Sequence, residues 1–198
     1  MIDVIVTGGT GFIGKKLVKS LKKRGLSVLP LCSKKLEITS FTSWLNLPPA
    51  KYIYHLAGKS FVPNSWDPKN NIFGVNVLGT KNALAYCKIH KAKLCLASSY
   101  VYGTPDQLPI NENHETRPNN PYALSKRISE QICQFSANYE NISVTILRLF
   151  NVFGPNQNSQ FLIPSIIDQI HKNEKIEVQD LNPRRDFVYL DDVVDAFI

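Results

Sequence analysis

The sequence has little of what builds disulfide frameworks or structural metal sites. Its 4 cysteines, Cys32, Cys87, Cys95 and Cys133, form no C-x-x-C pair. That spacing argues against zinc and against a stapled fold, and no metal site is expected. Apolar runs are short, and none reaches the ~18 residues of a membrane-spanning helix. No charged-then-apolar leader opens the chain, so a cytoplasmic setting is expected. In that setting the Asn141-Ile142-Ser143 glycosylation triplet reads as chance. Repeats and low-complexity segments are missing. Acidic residues are outnumbered, 16 against 23 Lys and Arg, giving a net charge of +7. Much of the excess sits in "KKLVKSLKKRG", which reads as one solvated helix face. No basic groove interleaved with aromatics appears, so neither nucleic acid nor a membrane is an expected partner.

What remains is an ordinary globular composition. A chain of 198 residues suits one domain, or one and part of a second. Strand-like and helix-like segments alternate along it. The strand candidates are Asp3–Thr7, Ser27–Cys32, Tyr52–Leu56, Lys93–Ser98 and Val144–Leu149. The helix candidates are Phe12–Arg24, Phe41–Leu45, Pro68–His90, Pro121–Tyr139 and Phe161–Lys172. The strands are short apolar runs without clean alternation, as burial on both faces requires. Alternation of strands with helices implies an α/β fold with a doubly wound parallel sheet. From Pro155 the texture changes to short Pro- and Asn-rich pieces, "GPNQNSQF" and "LNPRRDF". The expected division is 1–154 for the first unit and 155–198 for the start of a smaller, incomplete one. Near the end, Asp191 is an expected helix N-cap, and Val193, Val194, Phe197 and Ile198 need a partner surface.

The segment "IVTGGTGFIGKKLV", Ile5–Val18, has the layout of a dinucleotide site: strand, glycine turn, amphipathic helix. Gly8 allows a tight turn off the strand. Gly11 lets the backbone approach a pyrophosphate, and Gly14 lets the helix pack closely on the sheet. The start of the helix then offers free N–H groups and a positive dipole to the phosphates.

The glycine spacing is T-G-x-x-G-x-x-G, and six further motifs follow in order: "HLAG", "NVLGT", "SSYVYG", "PYALSK", "LRLFNVFGP" and "RRDFVYLDDVV". Together they resemble the extended short-chain dehydrogenase/reductase family of nucleotide-sugar epimerases, dehydratases and reductases, over Val4–Phe197. The look is nearest to GDP-4-keto-6-deoxymannose reductases and related 4-epimerases. The resemblance implies a Rossmann-like NAD(P)-binding unit followed by a substrate-binding region. It implies 4-keto reduction or 4-epimerisation of a nucleotide-diphosphate sugar by hydride transfer. A catalytically weak or inactive dinucleotide-binding module of the same fold is the alternative. Homodimerisation through a four-helix contact, from Pro68–His90 and Pro121–Tyr139, is a further implication.

Tyr122 and Lys126 are four apart and share a helix face, with Asn120 as cap and Pro121 in the first turn. Lowering a phenol from ~10 to near 7 requires about 4 kcal/mol. An ammonium about 4 Å away at an effective dielectric near 20 supplies that much. The resemblance makes Tyr122 the acid/base, Lys126 its tuner and ribose contact, and Ser98 the hydroxyl that steadies the reacting oxygen. Family dehydratases carry an acidic pair just after that position. Ser99 and Tyr100 stand there instead, which leaves reductase or epimerase.

The remaining cofactor contacts implied are Thr10, Phe12 and Ile13 in the glycine turn, Leu56, Ala57 and Gly58, Asn76, and Phe150. Cys32 occupies the place of the ribose-binding carboxylate of NAD-preferring members, and Ser33, Lys34 and Lys35 follow it. A 2′-phosphate is tolerated there, though the lysines equally suit solvent. Glu37 and Ile38 match the family's adenine contact. The short segment leaves no room for the usual helix between strands two and three. NADP or NAD is therefore the expected cofactor, with NADP slightly preferred. On the substrate side the resemblance assigns Ser99, Asn151 and Arg185.

Overall fold

A computed structural model describes residues 2–173 and 175–198. Five parallel strands form one sheet: β1 (Ile2–Thr7), β2 (Val28–Leu31), β3 (Ala50–His55), β4 (Lys93–Ser99) and β5 (Val144–Leu149). The spatial order is β2-β1-β3-β4-β5, with Val4 paired to both Val28 and Tyr52. Strand order reverses beside β1. The carboxyl ends of β1 and β3 therefore open a crevice of the kind that binds ligands in open α/β sheets.

Side chains alternate across the sheet and feed two cores. On one face Ile5, Leu31, Ile53, Leu94 and Leu96 pack with Trp44, Tyr86 and Cys133. These last three come from α2 (Phe41–Leu45), α3 (Gly79–His90) and α4 (Pro121–Tyr139). On the other face Val4 and Val6 pack with Leu17 and Leu21 of α1 (Phe12–Lys23). The fold is thus a doubly wound, Rossmann-like α/β layer structure.

Most elements lie within two residues of their expected bounds. The expected helix Pro68–His90 does not run unbroken. It has a 3-10 turn at Pro68–Asn70, a left-handed Asn71 at φ 42°, a π-helical stretch Gly74–Leu78, and only then α3. Pro68 and Gly74 are weak helix formers, and the Asn71 side chain caps the Gly74 N–H at 3.2 Å. Between β2 and β3 the only helix among the described residues is α2, five residues long.

Beyond β5, β6 (Asn151–Phe153) pairs in parallel with β7 (Phe187–Tyr189), and α5 (Leu162–His171) lies between them in sequence with no fully buried residue. The last helix, α6 (Leu190–Phe197), joins the core on the α1 side of the sheet. Leu190, Val193, Val194 and Phe197 bury against Leu17 and Leu21 of α1. Asp191 is not the N-cap. Tyr189 is, and Asp191 sits in the first turn, where a carboxylate meets the helix dipole and Lys16 at 2.8 Å.

Candidate active site

The glycine turn leaves β1 at Thr7 and enters α1 at Phe12. Gly8 has φ +69°, and a Cβ there would stand 2.8 Å from the backbone N of Ala57. The turn is thereby wedged against Leu56 and Ala57 at the end of β3. A Cβ on Gly14 would stand 2.1 Å from the Gly8 carbonyl oxygen, so α1 begins directly on the turn. Gly11 is the N-cap of α1 and offers no side-chain acceptor to the first N–H groups. Thr10 and Gly11 are exposed, and Phe12 and Ile13 are partly buried. Free donors at the start of a helix, beside a bare glycine surface, fit a pyrophosphate.

The adenosine end of the crevice lies past β2. Ser33 and Lys34 are exposed, as is Lys35. The Glu37 carboxylate accepts from the Thr39 hydroxyl at 2.7 Å and the Thr39 N–H at 3.1 Å, which holds it below the usual carboxylate range. The Ile38 carbonyl accepts from Trp44 Nε1 at 3.0 Å and Asn82 Nδ2 at 2.9 Å, so the segment is pinned from below.

Asn76 departs from its expected role. It is 2% exposed, its Oδ1 accepts from the Lys59 N–H at 2.8 Å, and its Nδ2 donates to the Lys59 carbonyl and to Ser125 Oγ. Every polar atom of the amide is used, so Asn76 braces the Gly58–Lys59 backbone against α4 instead of presenting a donor to a ligand. Gly58 needs its bareness there, since a Cβ would stand 2.8 Å from Asn76 Oδ1 and 3.6 Å from Lys126 Nζ.

Asn120 caps α4 by accepting from the Ala123 N–H at 2.8 Å. This sets Tyr122, Lys126 and Glu130 on one helix face at i, i+4, i+8. Burial pushes the Tyr122 phenol up, and a hydrogen bond from the Ser99 side chain opposes that. Lys126 is buried, and burial pushes its ammonium down to about 8. Its Nζ donates to the Ala97 carbonyl at 2.8 Å. The largest influences on Tyr122 are burial and Ser99, not the nearby ammonium the sequence led one to expect. The Lys126 charge bears on His55, and Cys133 and then Glu130 oppose the effect of burial on the ammonium.

Ser98 also departs from expectation. Its hydroxyl donates to Glu130 Oε1 at 2.6 Å, inside the protein. Glu130 is 0% exposed and binds Arg148 at 2.8 Å and Arg127 at 3.2 Å. Sequence reasoning missed Glu130 and Arg148. The signal was there: Glu130 continues the Tyr122–Lys126 stripe by one more turn, and a carboxylate on a buried stripe demands a cation. Phe150 is partly buried, with ring centroids 5.9 Å from Tyr100 and 6.3 Å from Tyr102.

On the outer side Asn151 donates through Nδ2 to the Asp186 carbonyl at 3.1 Å. Because Asn151 pairs with Phe187, the β6–β7 ladder carries the exposed Arg185 to the same edge as Asn151. Among the described residues no cluster of His, Cys, Asp or Glu could hold a metal ion, and no helix is long and apolar enough to cross a membrane.

The model of the NAD dependent epimerase/dehydratase family matches residues 4–198. The chain belongs to that family. It is 34% identical to the GDP-6-deoxy-D-talose 4-dehydrogenase of Aggregatibacter actinomycetemcomitans, over 98% of this chain and 68% of that protein. It is equally 34% identical to the GDP-6-deoxy-D-mannose reductase of Pseudomonas aeruginosa, over 98% of this chain and 69% of that protein. Its fold superposes on the structure of RMD from Pseudomonas aeruginosa complexed with NADPH, with a TM-score of 0.87 and 31% identity, over 100% of this chain and 72% of that one. Membership of an NAD-dependent family and likeness to an NADPH complex agree with the glycine cradle: a nicotinamide dinucleotide is the cofactor class.

Proposed function

We propose that this family member is an NAD(P)-dependent enzyme acting at C4 of a nucleotide-diphosphate sugar, with Tyr122 as its acid/base. The observation that carries the reading is the capped face of α4, which holds Tyr122 one turn before buried Lys126, whose Nζ lies on the Ala97 carbonyl of β4 and beside Gly58. When bound, the nicotinamide supplies the hydride donor or acceptor. The chain supplies the rest. The glycine turn and the start of α1 would hold the pyrophosphate, and Lys126 the ribose. Tyr122, half-buried at the start of α4, holds or takes the proton of the sugar oxygen. Asn151 and Arg185 share an edge from which a guanidinium can pair with the sugar diphosphate. A 4-keto reductase is favoured over a 4-epimerase, because the two relatives named above are a 4-dehydrogenase and a reductase of GDP-6-deoxy sugars. Exposed Ser33 and Lys34, with no carboxylate at the end of β2, favour NADP.

The test is turnover of a GDP-4-keto-6-deoxy-hexose with NADPH, and separately of UDP-glucose with NAD, by the wild type and Tyr122→Phe. The expected result is reduction of the keto sugar by the wild type, loss of turnover in the variant, and nearly unchanged NADPH affinity. Equal turnover in the variant removes Tyr122 from the mechanism.

A further inference from the structure

The segment between β4 and α4 carries the chain from Ser98 to Tyr122, and one guanidinium holds it. Residues 103–117 close on themselves. Gly103, at φ +69°, lies so near Arg117 that a Cβ on it would stand 2.3 Å from the Arg117 carbonyl oxygen. Arg117 pairs with Asp106 at 2.9 Å and with Glu115 at 2.6 Å, and the Asn111 N–H donates to His114 Nδ1 at 3.0 Å. The segment is thus an Ω-loop, with its ends together and its own side chains filling it. Among the described residues, the hydrogen bonds that tie 101–118 to the rest of the chain come from Arg148. Its Nη1 donates to the Tyr102 hydroxyl at 2.9 Å and to the Glu112 carbonyl at 3.1 Å. One bond grips the foot of the loop and the other its middle. The rest of the guanidinium faces inward: Nη2 donates to Glu130 Oε2 at 2.8 Å and Nε to Oε1 at 3.0 Å. Glu130 is fully buried on α4, two turns after Tyr122. Tyr102 is buried too. Its ring centroid is 5.0 Å from the guanidinium carbon, and its ring stacks on Phe150 at 27°.

We propose that Arg148 is a positioning residue: it clamps the 103–117 loop to α4 and β5, and through the loop fixes the entry of α4 on which Tyr122 stands. The inference rests on the reading of Tyr122 as acid/base. The place suits a planar fork. A guanidinium holds its N–H groups in one rigid plane, so it serves Glu130, Tyr102 and Glu112 at once. The ammonium of a lysine is a point charge, which reaches the carboxylate or the loop but not both. An unclamped loop lets the start of α4 shift, and a shift of about 1 Å at a reacting group costs on the order of 10²-fold in rate.

Two variants test this. Arg148→Lys keeps a cation beside Glu130 and releases the loop. Tyr102→Phe keeps the ring and removes only the hydroxyl that Arg148 grips. The first readout needs no substrate: cleavage by a Glu-specific protease at Glu112 and Glu115, both exposed. Cleavage follows the opened population, which the loss of one hydrogen bond to a charged group raises by about 10- to 10²-fold. Arg148→Lys should therefore be cut at least about tenfold faster than the wild type, and Tyr102→Phe at a rate between the two. Urea unfolding measures global stability alongside. The second readout is turnover of the GDP-4-keto-6-deoxy-hexose with NADPH. Arg148→Lys should lower kcat by about 10²-fold, with the KM for NADPH within a few-fold of the wild type. Tyr102→Phe should lower kcat less. The double variant should lose no more than Arg148→Lys alone, because the two groups act as one unit. Cleavage at the wild-type rate overturns the clamp, and so does faster cleavage matched by an equal fall in global stability. Faster cleavage with unchanged kcat, or losses that add across the two substitutions, overturns the positioning of Tyr122. If the wild type turns no sugar over, the reading of the substrate fails and takes the role at Tyr122 with it, while the cleavage rates still decide the clamp.

Discussion

Gly14→Ala separates local helix preference from the geometry of the turn, because the two predict opposite signs. Gly14 is the third residue of α1 and is buried. By helix propensity alone, alanine there should add about 1 kcal/mol of stability. The tertiary structure says otherwise. The new Cβ would stand 2.1 Å from the Gly8 carbonyl oxygen, 2.8 Å from Gly9 Cα and 2.9 Å from the Gly8 carbonyl carbon. All three are backbone atoms, so no rotamer change relieves the contact. To restore ordinary packing the Gly8 carbonyl must retreat by about 1 Å. It is not free to do so. It accepts from the Gly11 N–H at 2.9 Å, while Gly9 donates to the Leu31 carbonyl at 3.0 Å. Overpacking costs roughly 1–3 kcal/mol, and the lost turn bond about 1 more. The variant should therefore be less stable than the wild type by about 1–3 kcal/mol after the propensity gain is subtracted. Displacement of the N–H groups at the start of α1 should also weaken NADPH binding by about 10²-fold, since charge-assisted bonds carry about 1.5–3 kcal/mol each. Urea unfolding and quenching of NADPH fluorescence measure the two effects. A variant as stable as the wild type, with unchanged NADPH affinity, would refute the argument that the turn is wedged shut.

Two other predictions concern the core and pH. Trp44, fully buried from a five-residue helix, donates Nε1 to the Ile38 carbonyl and lies 5.9 Å from the Tyr86 ring. Trp44→Ala should cost about 3–5 kcal/mol in urea unfolding, and a loss below 1 would mean that α2 is dispensable to the core. His55 is buried, its Nδ1 bonds Thr7 Oγ1 at 2.8 Å, and its Nε2 has no partner among the described residues. Desolvation, then the charge of Lys126, pushes it down to about 3. The unfolded chain binds a proton at this residue near 6.5 and the folded chain does not, so stability falls as pH drops below 6.5 and keeps falling toward 3. By pH 5 the loss is about 2 kcal/mol, and His55→Gln should flatten that part of the stability curve if the assignment is right.

Several features of the site were legible in the chain because they are set by neighbours in sequence. The glycine turn follows from sterics within a dozen residues. The Asn120 cap and the Tyr122–Lys126 stripe follow from helix geometry. The strand-helix alternation sufficed for a parallel sheet with its crevice at the carboxyl ends. The partner of Ser98 was not legible, because the Glu130 carboxylate that takes its hydroxyl lies 32 positions away. Asn76 looked like a ligand contact until Lys59 and Ser125, 17 and 49 positions distant, consumed its amide. Lys126 kept its helical phase, and the Ala97 carbonyl that takes one of its protons lies 29 positions away. Sequence by itself determined which residues stand on which turn and face, since backbone sterics act locally. Tertiary structure decided where each proton and charge is spent, since a hydrogen bond forms with whatever group folding brings within about 3 Å.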